Sequence, residues 1–297
     1  MNYRYTTITA LRNEGVELDV LSDAKADTLI RMCSDFIDTL TDQWFAPMPK
    51  VVRLEGKDSD IIYHPSRIPI VKLNSFNRVY ADGTLINIPL QYLFVDERWI
   101  EIEASTEVVT HIGYRIIDKF ERRHRFLAVA VWGWLDNAKD VSADLTLDLV
   151  TGGDTATFSG LSGGYFEVGD QIVIVGSGQT ITTMANAVTS TTIKLDKLSL
   201  PATIAAGAKI YSYGRTPLAI QNACKQLVIF NTPALASEEF QQQALETRLI
   251  MERTDNYEYK LDSTTDGRRK GVISITGNDQ IDNLLAHYVA PPFVGFA

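Results

Sequence analysis

The sequence contains very little cysteine, with only Cys33 and Cys224 among its 297 residues. Two distant thiols cannot form the disulfide framework that stabilises small secreted domains, so we expect a reducing compartment. Both cysteines lie in apolar segments with helical spacing. We therefore expect both thiols to be buried and chemically inert.

Long hydrophobic runs and an excess of positive charge are also missing. No stretch approaches the roughly 18 apolar residues of a membrane-spanning helix, and the N-terminus lacks the basic and apolar regions of a secretory signal peptide. The 28 basic and 37 acidic residues give a formal net charge of −9. This charge disfavours electrostatic binding to nucleic acid or to an anionic membrane, because both are themselves negative. We expect no membrane partner.

Sequence support for catalysis and metal binding is missing as well. No histidine has another histidine, a cysteine or a carboxylate at metal-ligand spacing, and there is no calcium loop. Gly160 and Gly164 flank Ser162 as in a nucleophile elbow, but that elbow needs a helix after the serine, and residues 138–214 show no helical periodicity. The sequence therefore predicts no catalytic residue, no metal, no cofactor and no enzyme activity. The histidines are His64, His111, His124 and His287.

Three short segments resemble functional motifs but favour simpler interpretations. Residues 173–180, VIVGSGQT, are followed by strand-forming residues where a phosphate-binding loop needs a helix, so they predict a hairpin turn. The carboxylates within 96–103 fit a solvated strand face, because no neighbouring feature separates their pKa values. The basic runs 122–125 and 268–270 fit solvated loops or contacts with a protein partner better than contacts with nucleic acid.

The first half of the chain predicts one helix followed by strands. Apolar residues three and four apart predict an amphipathic helix at about residues 22 to 44, capped by Ser22 or Asp23 and stopped by Pro47. Short β-type runs over 51–104 predict an antiparallel meander. A later strand is predicted to place four side chains on one face, namely Phe126, Ala128, Ala130 and Trp132.

A change of composition after the meander predicts a separate module. Residues 138–214 have less charge and more Gly, Ser and Thr, and their strand candidates predict a small β-barrel or sandwich. A helix is then predicted with Thr216 as N-cap and Pro217 in first position, and a short last helix is predicted with Asn278 as cap.

These elements together predict the fold class and the domains. The class is α+β, with a helical core, antiparallel strands that include a hairpin projection, and an inserted small all-β barrel or sandwich domain. The predicted core domain is discontinuous, because the insertion interrupts it. Its parts are residues 1–137 and 215–297, and the inserted domain is residues 138–214.

Short motifs occur in a fixed order on both sides of the insertion. They comprise Leu54, Gly56, Ser59, Ile62, Pro65, Pro69, Ile70, Trp132, Gly133, Trp134 and residues 217–228. This order, over about residues 20–136 and 215–253, resembles the head-to-tail connector, or adaptor, proteins of tailed bacteriophages and gene transfer agents. In that family a short loop takes the place of residues 138–214.

The resemblance implies a structural role. Connectors of this family form a ring, usually dodecameric, that lies beneath the portal in the neck of the virion. The implied partners are the portal protein, tail or tail-completion proteins and further copies of the chain, while DNA crosses the lumen without sequence-specific binding. The implied location is the head-tail junction, after synthesis in the cytoplasm of the bacterial host. A negative chain suits a channel through which DNA slides.

The C-terminal segment AHYVAPPFVGFA is apolar and carries no acidic or strongly basic side chain. We predict that it is an arm that docks on the portal or on a neighbouring subunit, with Phe293 and Phe296 as anchors. The alternative is that it folds back on its own helices. The predicted interface residues are Tyr288, Val289, Pro291, Pro292, Phe293, Val294, Phe296, Arg268, Arg269 and Lys270.

Other functions compatible with the sequence come from different classes. Another neck or baseplate subunit would share the β insertion. A carbohydrate-binding surface module is a further alternative, because aromatic residues of the insertion can stack on sugars, although core packing is the favoured role for them. These aromatic residues are Tyr165, Phe166, Tyr211 and Tyr213.

Overall fold

The computed structural model describes residues 3–64, 68–102, 119–122, 125–196, 203–232, 279–286 and 288. The helices are α1 (Ile8–Asn13), α2 (Asp23–Thr41), α3 (Leu218–Asn231) and α4 (Asp279–Leu285), with a 3-10 turn at Leu90–Tyr92. The strands are β1 (Met48–Glu55), β2 (Ile61–Tyr63), β3 (Ile70–Val79), β4 (Leu85–Ile88), β5 (Leu93–Val95), β6 (Trp99–Ile102), β7 (Arg125–Trp132), β8 (Val141–Leu145), β9 (Thr155–Ser162), β10 (Asp170–Gly176), β11 (Gln179–Val188), β12 (Thr192–Leu195) and β13 (Lys209–Arg215).

The helices form one hydrophobic cluster with the N-terminal segment. Helix α2 packs on α3, and α3 packs on α4. The prediction of a helix after Ser22 is confirmed, but α2 ends at Thr41, three residues before the predicted end. It ends there because Asp42 adopts the left-handed backbone conformation, with φ of 52°.

The start of α3 differs from the prediction. The helix begins at Leu218, and Pro217 occupies the N-cap position without a side-chain hydrogen bond. The predicted N-cap role of Thr216 was wrong, because its hydroxyl donates instead to the Phe45 carbonyl at 2.7 Å. This hydrogen bond ties the start of α3 to the segment that follows α2. The predicted cap Asn278 lies outside the described residues.

Four antiparallel strands form a sheet in the order β1-β7-β3-β4. The sheet is not the predicted meander, because β7 inserts between β1 and β3. One face of β7 is buried as predicted, since Phe126, Ala128, Ala130 and Trp132 are each at most 1% exposed. Alternation along the strand therefore correctly identified the core face.

A smaller sheet, in the order β2-β6-β5, covers that buried face. Its inward residues Ile62, Ile100 and Ile102 share a hydrophobic cluster with Leu54 and Phe76 of the larger sheet. The two sheets thus form a sandwich with a common core.

The remaining strands form a closed barrel in the order β10-β11-β12-β9-β8-β13. It closes because β13, the last strand in this order, pairs with β10, the first. The predicted hairpin turn is confirmed between β10 and β11, where Gly176 pairs with Gln179. Ser177 and Gly178 have φ of 50° and 73°, the positive values of a two-residue type I′ turn.

The structure confirms a mixed α+β fold with a six-stranded β-barrel. It does not confirm that the core is mainly helical, because strands provide two of the three large hydrophobic clusters. The strands of the barrel start at Val141 and end at Arg215. Within the part of the chain described, no helix has the length and apolar character needed to cross a membrane.

Candidate protein-interaction surfaces

A buried polar network joins the N-terminal segment and α2 to the barrel. The carboxylate of Asp196, which follows β12 and is 0% exposed, accepts from the Ile8 N–H at 2.9 Å and from Arg4 Nη1 at 3.3 Å. Arg4 also pairs with Asp27 of α2, and Asp27 pairs with Arg31. Ile8 starts α1, so the negative charge lies at the positive end of that helix. The network fixes the barrel to the helices.

A second polar cluster holds the N-terminal segment on α2. The hydroxyls of Tyr3 and Tyr5 both donate to the Asp38 carboxylate, the former at 2.6 Å, and the Tyr5 hydroxyl accepts from the Phe45 N–H at 2.9 Å. Burial raises the pKa of Asp38 to about 7, although the two hydroxyls oppose the shift. Burial and the neighbouring Asp38 also raise the pKa of both tyrosines. All the polar atoms of the cluster are engaged with one another, which indicates a structural role.

The thiols and one imidazole are in environments that suppress their chemistry. Burial raises the pKa of the Cys33 thiol to about 12 and also raises that of Cys224. Because the thiolate is the reactive form, neither cysteine is suited to nucleophilic attack. Burial lowers the pKa of His64 to about 4, and its ring lies 4.8 Å from that of Trp132. In the described ranges, no group of three or more His, Cys, Asp or Glu side chains can hold a metal ion.

A charged pocket of about 480 Å³ lies at the end of β1. The Arg122 N–H donates to the Asp58 carboxylate at 2.9 Å on its wall, so part of the predicted basic run 122–125 borders it. The lining offers charges of both signs but no serine, cysteine or histidine, so it suits ionic contacts with a partner. The lining residues are Glu55, Gly56, Lys57, Asp58 and Arg122.

The four barrel aromatics named as candidates for sugar stacking differ in their exposure. Phe166 packs on Phe158 in the barrel core, with ring centroids 5.1 Å apart. Tyr213 is 7% exposed and stacks on Tyr211 at 5.9 Å. Tyr165 is 78% exposed, and Tyr211 is partly buried. The favoured prediction was that these side chains pack in the core. Phe166, Tyr211 and Tyr213 agree with it, whereas Tyr165 does not.

Of the predicted interface residues, the structure describes Tyr288. It is partly buried on the helical cluster, and its ring meets that of Phe45 edge to face with centroids 5.0 Å apart. The start of the C-terminal arm is thus anchored on its own chain, while the prediction that the arm docks elsewhere stays a prediction. The other residues lie outside the described ranges, namely Val289, Pro291, Pro292, Phe293, Val294, Phe296, Arg268, Arg269 and Lys270.

Reasoning from sequence missed the two edges of the four-stranded sheet as surfaces of interest. Val51 of β1 is 54% exposed, and Leu85 of β4 is 53% exposed. A signal for strands was present, because both segments are short β-type runs bounded by turn residues. Which strands lie at an edge depends on the strand order, which such local patterns do not contain.

Comparison of the chain with known proteins identified no relative. No family model, curated protein or solved structure matches the chain.

Proposed function

We propose that this chain is a structural subunit of the virion neck, a head-to-tail connector that assembles into a ring joining the portal to the tail. The proposed partners are the portal protein, tail or tail-completion proteins and further copies of the chain, with DNA passing through the lumen. In this role the chain performs no catalysis and needs no cofactor.

One observation carries the proposal. The segments that resemble connectors, on either side of the barrel, pack together as one unit although the barrel separates them in sequence. Ser34 Oγ of α2 lies 3.6 Å from Cys224 Sγ of α3, and Thr216 is hydrogen-bonded to Phe45. This arrangement supports a connector body into which a barrel has been inserted.

The chemistry of the described residues supports the same interpretation. The buried titratable groups are used for packing and for hydrogen bonds within the fold, whereas apolar side chains are exposed on a helix and on the sheet edges. On α2, Met32 and Phe36 are 59% and 42% exposed at a spacing that places them on one face. Exposed apolar side chains that lie together favour assembly over catalysis.

The experiment that tests the proposal is the solution mass of the full chain, alone and with the portal protein of the same virus. Light scattering with negative-stain imaging should show a closed ring, or a ring that appears only on the portal. A strict monomer that also ignores the portal would refute the connector function.

A truncation after Tyr288 extends the same experiment to the C-terminal arm. Tyr288 is retained because its ring packs on Phe45, so the variant should fold with nearly unchanged stability. If the arm docks on the portal, binding should fall at least tenfold. A matched full-length variant, Phe293→Ala with Phe296→Ala, should weaken binding in the same direction. A large loss of monomer stability in the truncated chain would instead indicate that the arm folds on its own subunit.

A further inference from the structure

The four-stranded sheet has two open edges that differ in length. Strand β1 provides eight residues and β4 provides four, whereas the barrel has no free edge and the smaller sheet ends in strands of only three residues. Among the described residues, no backbone hydrogen bond extends the sheet beyond β1 or β4. Open edges present backbone N–H and C=O groups that another strand can bind.

The directions of the two edge strands are compatible with each other. Each neighbouring pair in the order β1-β7-β3-β4 is antiparallel, so β1 and β4 also run in opposite directions. When a second copy lies beside the first in the same orientation, its β4 is therefore antiparallel to β1. The pairing would continue the regular antiparallel pattern across the boundary between copies.

The two strands also lie at the same level in the sheet. Following the register across β7 and β3 places Leu54 level with Ile86 and Arg53 level with Asn87. Leu54 is buried and Ile86 is half-buried, so these two side chains belong to the core face. On the core face, level pairing between copies would set Leu54 beside Ile86 and Val52 beside Ile88. On the other face it would set Arg53 beside Asn87 and Glu55 beside Leu85.

The absence of charge on β4 is compatible with this pairing. Strand β1 carries Lys50, Arg53 and Glu55. Strand β4, with the sequence LINI, carries no charge. Like charges on neighbouring strands destabilise a sheet, and an uncharged β4 sets none of them beside β1.

We infer that β4 of one copy binds the open edge of β1 in the next copy, so that the four-stranded sheet continues from subunit to subunit. The occupant of the β1 edge is thus a second copy of this chain. A contact between two different surfaces of identical chains can repeat, which a ring requires. The inference rests on the proposed ring and names the interface that builds it.

Disulfide trapping tests the inference directly. The double variant Arg53→Cys with Asn87→Cys places thiols on the two edges. Within one chain these positions are three strand spacings apart, about 14 Å, which is beyond the roughly 7 Å that a disulfide spans. Mild oxidation should therefore yield covalent trimers and larger species. Each single variant should give no species larger than a dimer, and the wild-type chain, whose two thiols are buried, should give none.

A second pair of variants separates the edge from a general surface effect. Leu85→Glu sets a carboxylate level with Glu55 of the neighbouring β1, whereas Leu147→Glu makes the same change at a barrel residue that is 62% exposed. Association measured by light scattering should weaken at least tenfold for the first variant and stay unchanged for the second. The double variant Val51→Cys with Asn87→Cys reports a register shifted by two residues, which would also support the pairing.

The outcomes distinguish this inference from the proposed function. A ring that forms normally with Leu85→Glu and gives no cross-link in either double variant would overturn the edge pairing while leaving the connector function intact. Cross-linking that stops at dimers would also overturn it, because a repeating contact extends further. A wild-type chain that neither assembles nor binds the portal would refute the connector function itself.

Discussion

Replacing Asp196 with alanine should cost far more stability than its position after a short strand suggests. The carboxylate is fully buried and binds the Ile8 N–H, the Arg4 guanidinium and the Asn186 side chain, at 2.9, 3.3 and 3.3 Å. The substitution leaves the Ile8 N–H without its acceptor. It also removes one of the two carboxylates that pair with Arg4, so that only Asp27 remains. Breaking a buried ion pair from one side costs roughly 3 to 5 kcal/mol.

A matched variant isolates the effect of burial. Asp144 is also an aspartate of the barrel and pairs with Lys209 at 2.6 Å, but both side chains are about half exposed. An exposed ion pair contributes about 0 to 1 kcal/mol, so Asp144→Ala should change little. Asp196→Asn should fall between the two, because it keeps an acceptor for Ile8 and loses the charge that faces Arg4.

Denaturant unfolding followed by tryptophan fluorescence and circular dichroism measures all three variants. Because Asp196 joins the barrel to the helices, we also expect Asp196→Ala to separate the transitions of the two parts, which should coincide in the wild-type chain. Equal and small losses for Asp196→Ala and Asp144→Ala would refute the argument that the junction depends on this buried pair.

Two further predictions concern buried titratable groups. The folded-state pKa of Asp38 is about 7 against an ordinary 3.8, so the folded chain binds this proton more tightly and the contribution of Asp38 to stability should fall as pH rises from about 4 to 7. The contribution of His64, whose pKa is lowered to about 4, should rise over much of the same range. At ~1.4 kcal/mol per pH unit the decline from Asp38 amounts to roughly 4 kcal/mol at most. Asp38→Asn should remove this decline in urea melts at pH 4 and pH 8, and an identical pH profile for the variant would contradict the assignment. Cys33 and Cys224 should react with a thiol reagent only after unfolding, because both are buried; rapid labelling of the native chain would show that the α2–α3 contact is wrong.

Sequence patterns predicted the elements of this fold that local physics determines. The spacing of apolar residues located α2, and alternation identified the buried face of β7 from Phe126 to Trp132. The pair Ser177 and Gly178 marked a tight turn because glycine tolerates positive φ. The burial of both cysteines also followed from their apolar neighbours.

Features that depend on distant contacts were beyond the same reasoning. The sequence position of Thr216 predicted that its hydroxyl caps α3. In the fold the hydroxyl instead donates a hydrogen bond to the Phe45 carbonyl. The strand order places β7 between β1 and β3, and no local pattern contains that information. The buried ion pair of Arg4 with Asp196 joins residues 192 apart in the chain, so neither residue could be singled out beforehand.

The contrast between the sheets explains why assembly is expected at one place. A barrel satisfies every strand by closing on itself, so its insertion adds six strands without adding an edge. The four-stranded sheet lacks this closure, and it bears the exposed Val51 and Leu85 on its two edge strands. Strand β1 carries Lys50, Arg53 and Glu55, whereas β4 carries no charge, so pairing β4 with β1 brings no like charges together. An edge that binds a different strand of the next copy produces a directional contact, and a directional contact between identical chains builds a ring when its rotation closes.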